Sequence, residues 1–282
     1  MILFLFLTHL GLGIVFTLVF IPREAGVKFF RFNAGLAAIL LIAGLGVLFR
    51  WVANTFVPWH DTRGGIGAVS VGFAESLSLQ ALAASTFAVV TYWAIVGRGF
   101  ARLRPTLVAV ALIGGLVAIV TQGVTLASNA PAQILTVASF LSSAVLLGGS
   151  CTAMILGHWY LIIPSMQVSY LQSIVKLHIV SLVVRIAVVG AAVWYALAMP
   201  FSPGPGVTAH FARYVMSIDG IFFWQRVLFG LGAPALLSYL TWETAKIRST
   251  QSATGILYVD FFTVVVGEVL AKYILLATRV PV

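Results

Sequence analysis

Charge is what this chain has least of. Only 8% of its 282 residues are Asp, Glu, Lys or Arg, against about 25% in an ordinary soluble domain. Sixteen basic and seven acidic side chains cannot cover the surface of a soluble fold of this size, while 61% of the residues are hydrophobic and the mean hydropathy is +1.09. These figures exclude a water-soluble globular protein and a disordered chain. Cysteine is scarcer still. The single Cys151 excludes an internal disulfide, an iron–sulfur cluster and a cysteine-based zinc site within the chain. An integral membrane protein remains. The net charge of +9 would suit nucleic acid in a soluble protein, but membrane proteins gather Lys and Arg in cytoplasmic loops for topological reasons. No nucleic-acid partner is expected.

Long apolar runs are what the chain does have. About 20 apolar residues cross a bilayer, and eight stretches qualify, near 2–21, 33–56, 70–97, 106–127, 133–160, 171–198, 219–244 and 255–278. The reading is one polytopic, all-α domain over residues 1–282: a bundle of eight transmembrane helices in the plasma (inner) membrane. The first run lacks a basic start and its cations follow it, unlike a cleavable signal peptide. Loop charge sets the orientation. Arg23, Lys28, Arg31, Arg98, Arg102, Arg104, Lys246 and Arg248 fall in the first, third and seventh connections. Arg63, Arg213 and Arg279 are the basic residues on the other side, and the fifth connection, around Pro164, carries none. The positive-inside rule then puts the odd connections in the cytoplasm and both termini outside.

The two longest outer connections, 57–69 and 199–218, are turn-rich and too short to fold alone. Function must therefore reside in the bundle or at a surface offered to other subunits. No internal repeat supports an inverted-repeat transporter. Gly64-Gly65 is a turn, since neither a Lys-Ser/Thr pair nor a strand accompanies it.

An ionisable group in hydrocarbon costs about 2.5–3.5 kcal/mol on insertion scales, so each one needs a reason. Arg185 lies halfway along the sixth run and Glu268 halfway along the eighth, at matching depth, so the two are expected to pair inside the bundle. Lys272 follows Glu268 at i+4, on the same helical face. The plain alternative is a structural ion pair locking two helices. His9, Arg50, Glu75, Arg226 and Lys272 come from five different runs and all fall in the outer half, like the lining of a polar pocket; Arg50 above all could instead snorkel to the surface. The inner half holds His158, Lys176, His178 and Asp260. His158 and His178 on adjacent helices are candidate ligands of a b-type haem, although His178 lies about 10 Å deeper at 1.5 Å rise per residue. Ser142, Ser143 and Gln122 could hydrogen-bond between helices, and Gly148-Gly149 suits close helix packing.

Certain segments resemble the NrfD/DmsC/PsrC-like membrane-anchor subunits of molybdopterin oxidoreductases. Val266-Gly267-Glu268-Val269-Leu270-Ala271-Lys272-Tyr273 is similar to the Gly-Glu-Leu-x-(Gly/Ala)-Arg segment of such anchors, with Lys272 near the place of the usual Arg. Trp224-Gln225-Arg226 is similar to their Trp-Arg pair, with Gln225 inserted, and Phe73-Ala74-Glu75 sits where they tend to carry a carboxylate. Thr8-His9-Leu10 and Gly157-His158-Trp159-Tyr160 have no counterpart in that pattern. The resemblance implies a subunit of a respiratory or photosynthetic-type electron-transfer complex, together with other membrane subunits. Menaquinone or ubiquinone would bind near the outer face at His9, Glu75, Arg226 and Lys272, and electrons would pass to or from a peripheral iron–sulfur or cytochrome subunit. His178, Arg185, Asp260 and Glu268 would carry protons, and the chain would need no metal of its own. A haem-b cytochrome, a transporter and an accessory supercomplex subunit are the alternatives.

Overall fold

The computed structural model describes residues 1–55, 73–127, 129–163, 166–198 and 211–282, the side chains of 51–55 excepted. Arg63, Pro164 and Gly64-Gly65, all of the 57–69 connection and most of the 199–218 connection lie outside them. Every regular element among the described residues is helical. A backbone in hydrocarbon has to satisfy its own hydrogen bonds, and a helix does so within one segment.

The α-helices are α1 (Ile2–Leu18), α2 (Val27–Thr55), α3 (Phe73–Ile95), α4 (Arg104–Thr125), α5 (Ala130–Ile162), α6 (Val168–Ala198), α7 (Phe211–Val215), α8 (Ile221–Val227), α9 (Ala233–Lys246) and α10 (Thr250–Thr278). Seven helical stretches are long and apolar enough to cross a membrane: Val27–Arg50, Phe73–Ile95, Ala101–Thr125, Ala130–Ile162, Val168–Ala198, Ile218–Lys246 and Thr250–Thr278. The shorter α1 has 17 residues and rises about 26 Å at 1.5 Å per residue. Of the eight apolar runs, seven thus become helices of spanning length and the first becomes a shorter apolar helix.

Local chemistry sets several boundaries. Asn129 caps α5, its side-chain oxygen accepting the Ala132 N–H at 2.9 Å, and Pro131 follows in the first turn, where its missing N–H costs nothing. Pro105 opens α4 in the same way.

The stretch read from the sequence as one seventh span is built in three parts. α8 runs into a π-helical turn at Leu228–Gly232, which leads into α9 with Pro234 near its start. Proline at 234 has no N–H to give the Gly230 carbonyl, and its ring crowds the preceding turn. The wider π turn accommodates that ring.

Side-chain contacts fix the packing directions. Ser85 donates to the Ala111 carbonyl and Ser78 to that of Ala118, so α3 and α4 are antiparallel. Gln172 reaches the Ala245 carbonyl and Lys176 lies over the Trp242 ring, so α6 and α9 are antiparallel too. Helices α1 and α5 run parallel: His9 meets Phe140, and the Thr17 and Thr152 hydroxyls lie 2.6 Å apart. Between those contacts Gly13 and Gly148 touch backbone to backbone, and a Cβ on either would collide with the other helix's main chain. Only glycine lets the axes approach so closely. Among the seven stretches of spanning length α5 and α10 are the most enclosed, and α1 is largely buried beside them.

Candidate functional site

Glu268, fully buried on α10, is the centre of the site. Arg185 on α6 meets it with two donors, Nε to Oε1 at 2.9 Å and Nη2 to Oε2 at 3.1 Å. This two-bond pairing is the strongest geometry available to a carboxylate and a guanidinium. Arg226 on α8 adds a bond from Nη2 to Oε1 at 2.8 Å. From α5, the Ser143 hydroxyl donates to Oε2 at 2.5 Å. Lys272, one turn along α10, donates to the Ser143 oxygen at 2.7 Å and lies 3.4 Å from Oε2. Arg185 also donates to the carbonyl and hydroxyl of Ser139, at 3.0 and 2.7 Å, and to the Val282 carbonyl at 3.2 Å. All four charged side chains are at most 2% exposed. Four helices, α5, α6, α8 and α10, thus converge on one carboxylate.

The π turn explains how Arg226 belongs here. The Gly230 carbonyl, deprived of its helical donor by Pro234, accepts from Arg226 Nη1 at 2.8 Å. Gly230 also packs against Gly267 of α10, and a Cβ at either residue would strike the other's Cα or the guanidinium. Arg226 therefore lies in a slot formed by a proline, a π turn and two glycines.

Next to this cluster stand two polar side chains with nothing to bond. His9 on α1 is 0% exposed and Gln122 on α4 is 5% exposed, and every ring and amide polar atom of the pair lacks a hydrogen-bond partner among the described residues. His9 lies within electrostatic range of Lys272, Glu268 and Arg185, and of Gln122 without good bonding geometry. A buried polar group without a partner costs about 1–3 kcal/mol, and two together mark a place where something polar belongs.

A second buried pair lies lower in the bundle. His178 Nε2 on α6 is 2.9 Å from Asp260 Oδ2 on α10, within ion-pair distance, although the alignment falls short of a hydrogen bond. His178 and Arg185 are seven residues apart on α6 and Asp260 and Glu268 eight apart on α10, so the same two parallel helices carry both pairs, about 10–12 Å apart along their axes.

The remaining sequence candidates are placed elsewhere. Glu75 is exposed in the first turn of α3. The α3–α4 register puts it level with Thr121 and Gln122, yet it faces away from the buried cluster. Arg50 is exposed as well. The five-residue outer pocket read from depth alone is thus divided: Arg226, Lys272 and His9 gather at Glu268, while Glu75 and Arg50 turn outward. The two histidines considered for haem are also apart. His158 is exposed and its Nδ1 lies 3.2 Å from the Tyr258 hydroxyl, whereas His178 packs beside Gly149. Gly149 and His158 are nine residues apart on α5, about 14 Å of rise, too far for both rings to reach one iron.

Sequence reasoning paired Arg185 with Glu268 but passed over Ser139 and the backbone acceptor at Gly230. Ser139, Ser142 and Ser143 recur at i, i+3 and i+4 on α5, a polar stripe that could have drawn attention to Ser139. Among the described residues no group of three His, Cys, Asp or Glu side chains is arranged to hold a metal ion. The space enclosed beside Lys272, Ser143 and Val282 is about 10 Å³, room for about one water molecule. No family model matches the chain, and neither does any curated protein or solved structure.

Proposed function

We propose that the chain is a quinone-interacting membrane-anchor subunit of an electron-transfer complex, with the Glu268 cluster as the place where the quinone head is bound and its charge stabilised. The supporting observation is an imbalance of charge. Among the described residues Arg185, Arg226 and Lys272 surround one side-chain carboxylate, a formal excess of two positive side-chain charges in a buried setting. Each buried ion costs several kcal/mol in desolvation, and a purely structural lock needs only one cation per carboxylate. The excess suits a ligand that arrives neutral and becomes negative on reduction, which is how a quinone behaves on its way to quinol. Preorganised donors act most strongly where charge develops in a site without water.

In this reading Lys272 and Arg226 face the quinone oxygens. His9 and Gln122 exchange hydrogen bonds or protons with them, within the bonding reach that acid–base transfer requires. The His178–Asp260 pair lies on the proton route towards the other side of the membrane. The head does not fit the present 10 Å³ space, so binding requires α1 or the segment 280–282 to move aside. Glu75 takes no part at the buried site; at its exposed position it belongs to the surface that meets an outer partner subunit. The haem-b alternative has no such support, because His158 lies beside Tyr258 and His178 beside Asp260, at different depths.

The same reading makes α1 an eighth crossing. It runs parallel to α5 over a shared stretch from His9 to Thr17, and three crossings, α2, α3 and α4, lie between them, the odd number that leaves two spanning helices parallel. With the basic connections in the cytoplasm, both termini face outward from the plasma (inner) membrane.

Photoaffinity labelling tests the binding site. The solubilised chain is irradiated with a short-tailed quinone carrying a photoreactive group, and the labelled peptides are mapped. Saturable labelling is expected within 139–143 and 268–275, displaced by unlabelled quinone and at least tenfold weaker in Lys272→Met, about the loss of one charged hydrogen bond. Labelling that is not saturable, or that Lys272→Met leaves unchanged, would overturn the assignment.

A further inference from the structure

A concave feature apart from the Glu268 cluster is lined by none of the residues that the proposed electron-transfer role uses. It is a groove of about 590 Å³ between α2 and α3, lined by Phe32, Gly35, Ala38, Ile42, Val90 and Trp93, with Lys28 and Arg31 at one end. This is the size of a small-molecule site, commonly about 300–1,000 Å³.

Its shape follows from two small residues. Gly35 lets the Trp93 indole lie against the α2 backbone, since a Cβ there would sit 2.8 Å from the ring nitrogen. Ala38, one turn on, keeps the floor low. The lining extends from Lys28 to Ile42, about 21 Å of helical rise, against about 15 Å for half of the bilayer's hydrocarbon core. The groove therefore reaches from one headgroup level to the middle of the membrane.

The two ends differ in chemistry. The deep end is wholly apolar. At the other, Lys28 and Arg31 are three residues apart on one face of α2, and Arg31 is held with its guanidinium carbon 5.7 Å from the Trp93 ring centroid. That stacking orients the guanidinium over the mouth without neutralising it. Among the described residues neither cation has a carboxylate partner. Arg23, in the turn before α2, and Arg104, at the start of α4, also lie in electrostatic range of Tyr92, beside Trp93.

We propose that this groove is a binding site for one phospholipid with an anionic headgroup. Its phosphate sits between Lys28 and Arg31, and one acyl chain lies along Gly35, Ala38 and Ile42. Charge complementarity selects this occupant: an apolar channel alone would accept any lipid tail, but two cations at the headgroup level, with no carboxylate partner among the described residues, favour a net negative head. Basic pockets between transmembrane helices recognise such heads by the same forces.

Native mass spectrometry after reconstitution tests the site. The chain is placed in nanodiscs of equal parts phosphatidylglycerol and phosphatidylcholine, released into mild detergent, and the retained lipids are counted. Wild type is expected to keep one phosphatidylglycerol per chain and no phosphatidylcholine. The double variant Lys28→Gln/Arg31→Gln should lower that retention about thirtyfold, from about 1 kcal/mol per basic residue at a membrane surface. Ile39→Trp, at a lipid-exposed position lining the groove, should abolish retention with both cations in place. Each variant is first checked for wild-type helicity and elution volume. Equal retention of the two lipids would overturn the proposal, as would retention untouched by both substitutions, a quinone recovered in the lipid's place, or a second copy of the chain covering the groove.

Discussion

Removing the charge of Glu268 leaves Arg185, Arg226 and Lys272 buried to within 2% of complete enclosure without the side-chain carboxylate that pairs with all three. Breaking a buried ion pair from one side costs about 3–5 kcal/mol, and here one carboxylate serves three cations. Glu268→Gln should therefore lower the thermal unfolding midpoint in detergent sharply, and Glu268→Ala more so. Ser143→Ala, which removes a hydroxyl donating to Glu268 and accepting from Lys272, should cost about 1–3 kcal/mol, the price of leaving buried polar groups unmet. A ranking in which Ser143→Ala matched or exceeded Glu268→Gln would show that the charges are not what holds these helices. Depth along the apolar runs was enough to pair Arg185 with Glu268, because two parallel helices carry them at matching levels. Depth did not bring Arg226 to the same carboxylate, since that depends on which way the side chain turns. Nor did it turn Glu75 outward: a single turn at a helix start decides the face, and one charged residue among polar neighbours carries no periodicity.

Helix by helix, glycine and proline decide how closely the elements approach. Pro234 withdraws a donor from the Gly230 carbonyl, the chain takes a π turn, and Arg226 fills the vacancy. The opposing face is Gly267, in backbone contact with Gly230. A single methyl group there has nowhere to go, so Gly267→Ala should destabilise the protein by about 1–3 kcal/mol, as overpacking does, and weaken the bond between Arg226 and Glu268. Gly255 lies on the same helix with nothing within 4 Å of an added Cβ. Gly255→Ala should be neutral or stabilising by up to about 1 kcal/mol, the ordinary helix-propensity gain. Unfolding midpoints of the two variants measured side by side check the contrast, and equal effects would mean that the close approach is not required. A proline inside an apolar run, as at Pro234, signals a kink in the helix. Its consequence was not legible, because a π turn arises from how the chain relieves the proline, and Gly230 shows its importance only against Gly267 on a helix some forty residues away.

At the scale of the whole molecule, the packing directions form one consistent alternation. Contacts make α3 and α4 antiparallel, α6 and α9 antiparallel, and α1 parallel to α5. Apolar run length was sufficient to read the helical bundle, since hydrocarbon admits few other structures; for α1 it gave a run to residue 21 where the helix ends at Leu18, its 17 residues at the low end of what a bilayer needs. Which side faces the cytoplasm rests on the arginines and lysines of the connections, and it is open to a direct experiment. Ser217 and Ile247 are exposed at opposite ends of the α8–α9 stretch, while the native Cys151 is buried and inert to a bulky reagent. In intact cells a membrane-impermeant maleimide should label Ser217→Cys from outside and leave Ile247→Cys unmodified until the membrane is permeabilised. The reverse pattern would invert the molecule and place the Glu268 cluster, with His9 beside it, nearer the cytoplasm. On the proposed reading as a membrane anchor, a soluble partner would then have to be met inside the cell. Labelling of both positions from outside would mean that α8–α9 does not cross, and the count of crossings that puts both termini on one side would lose its basis.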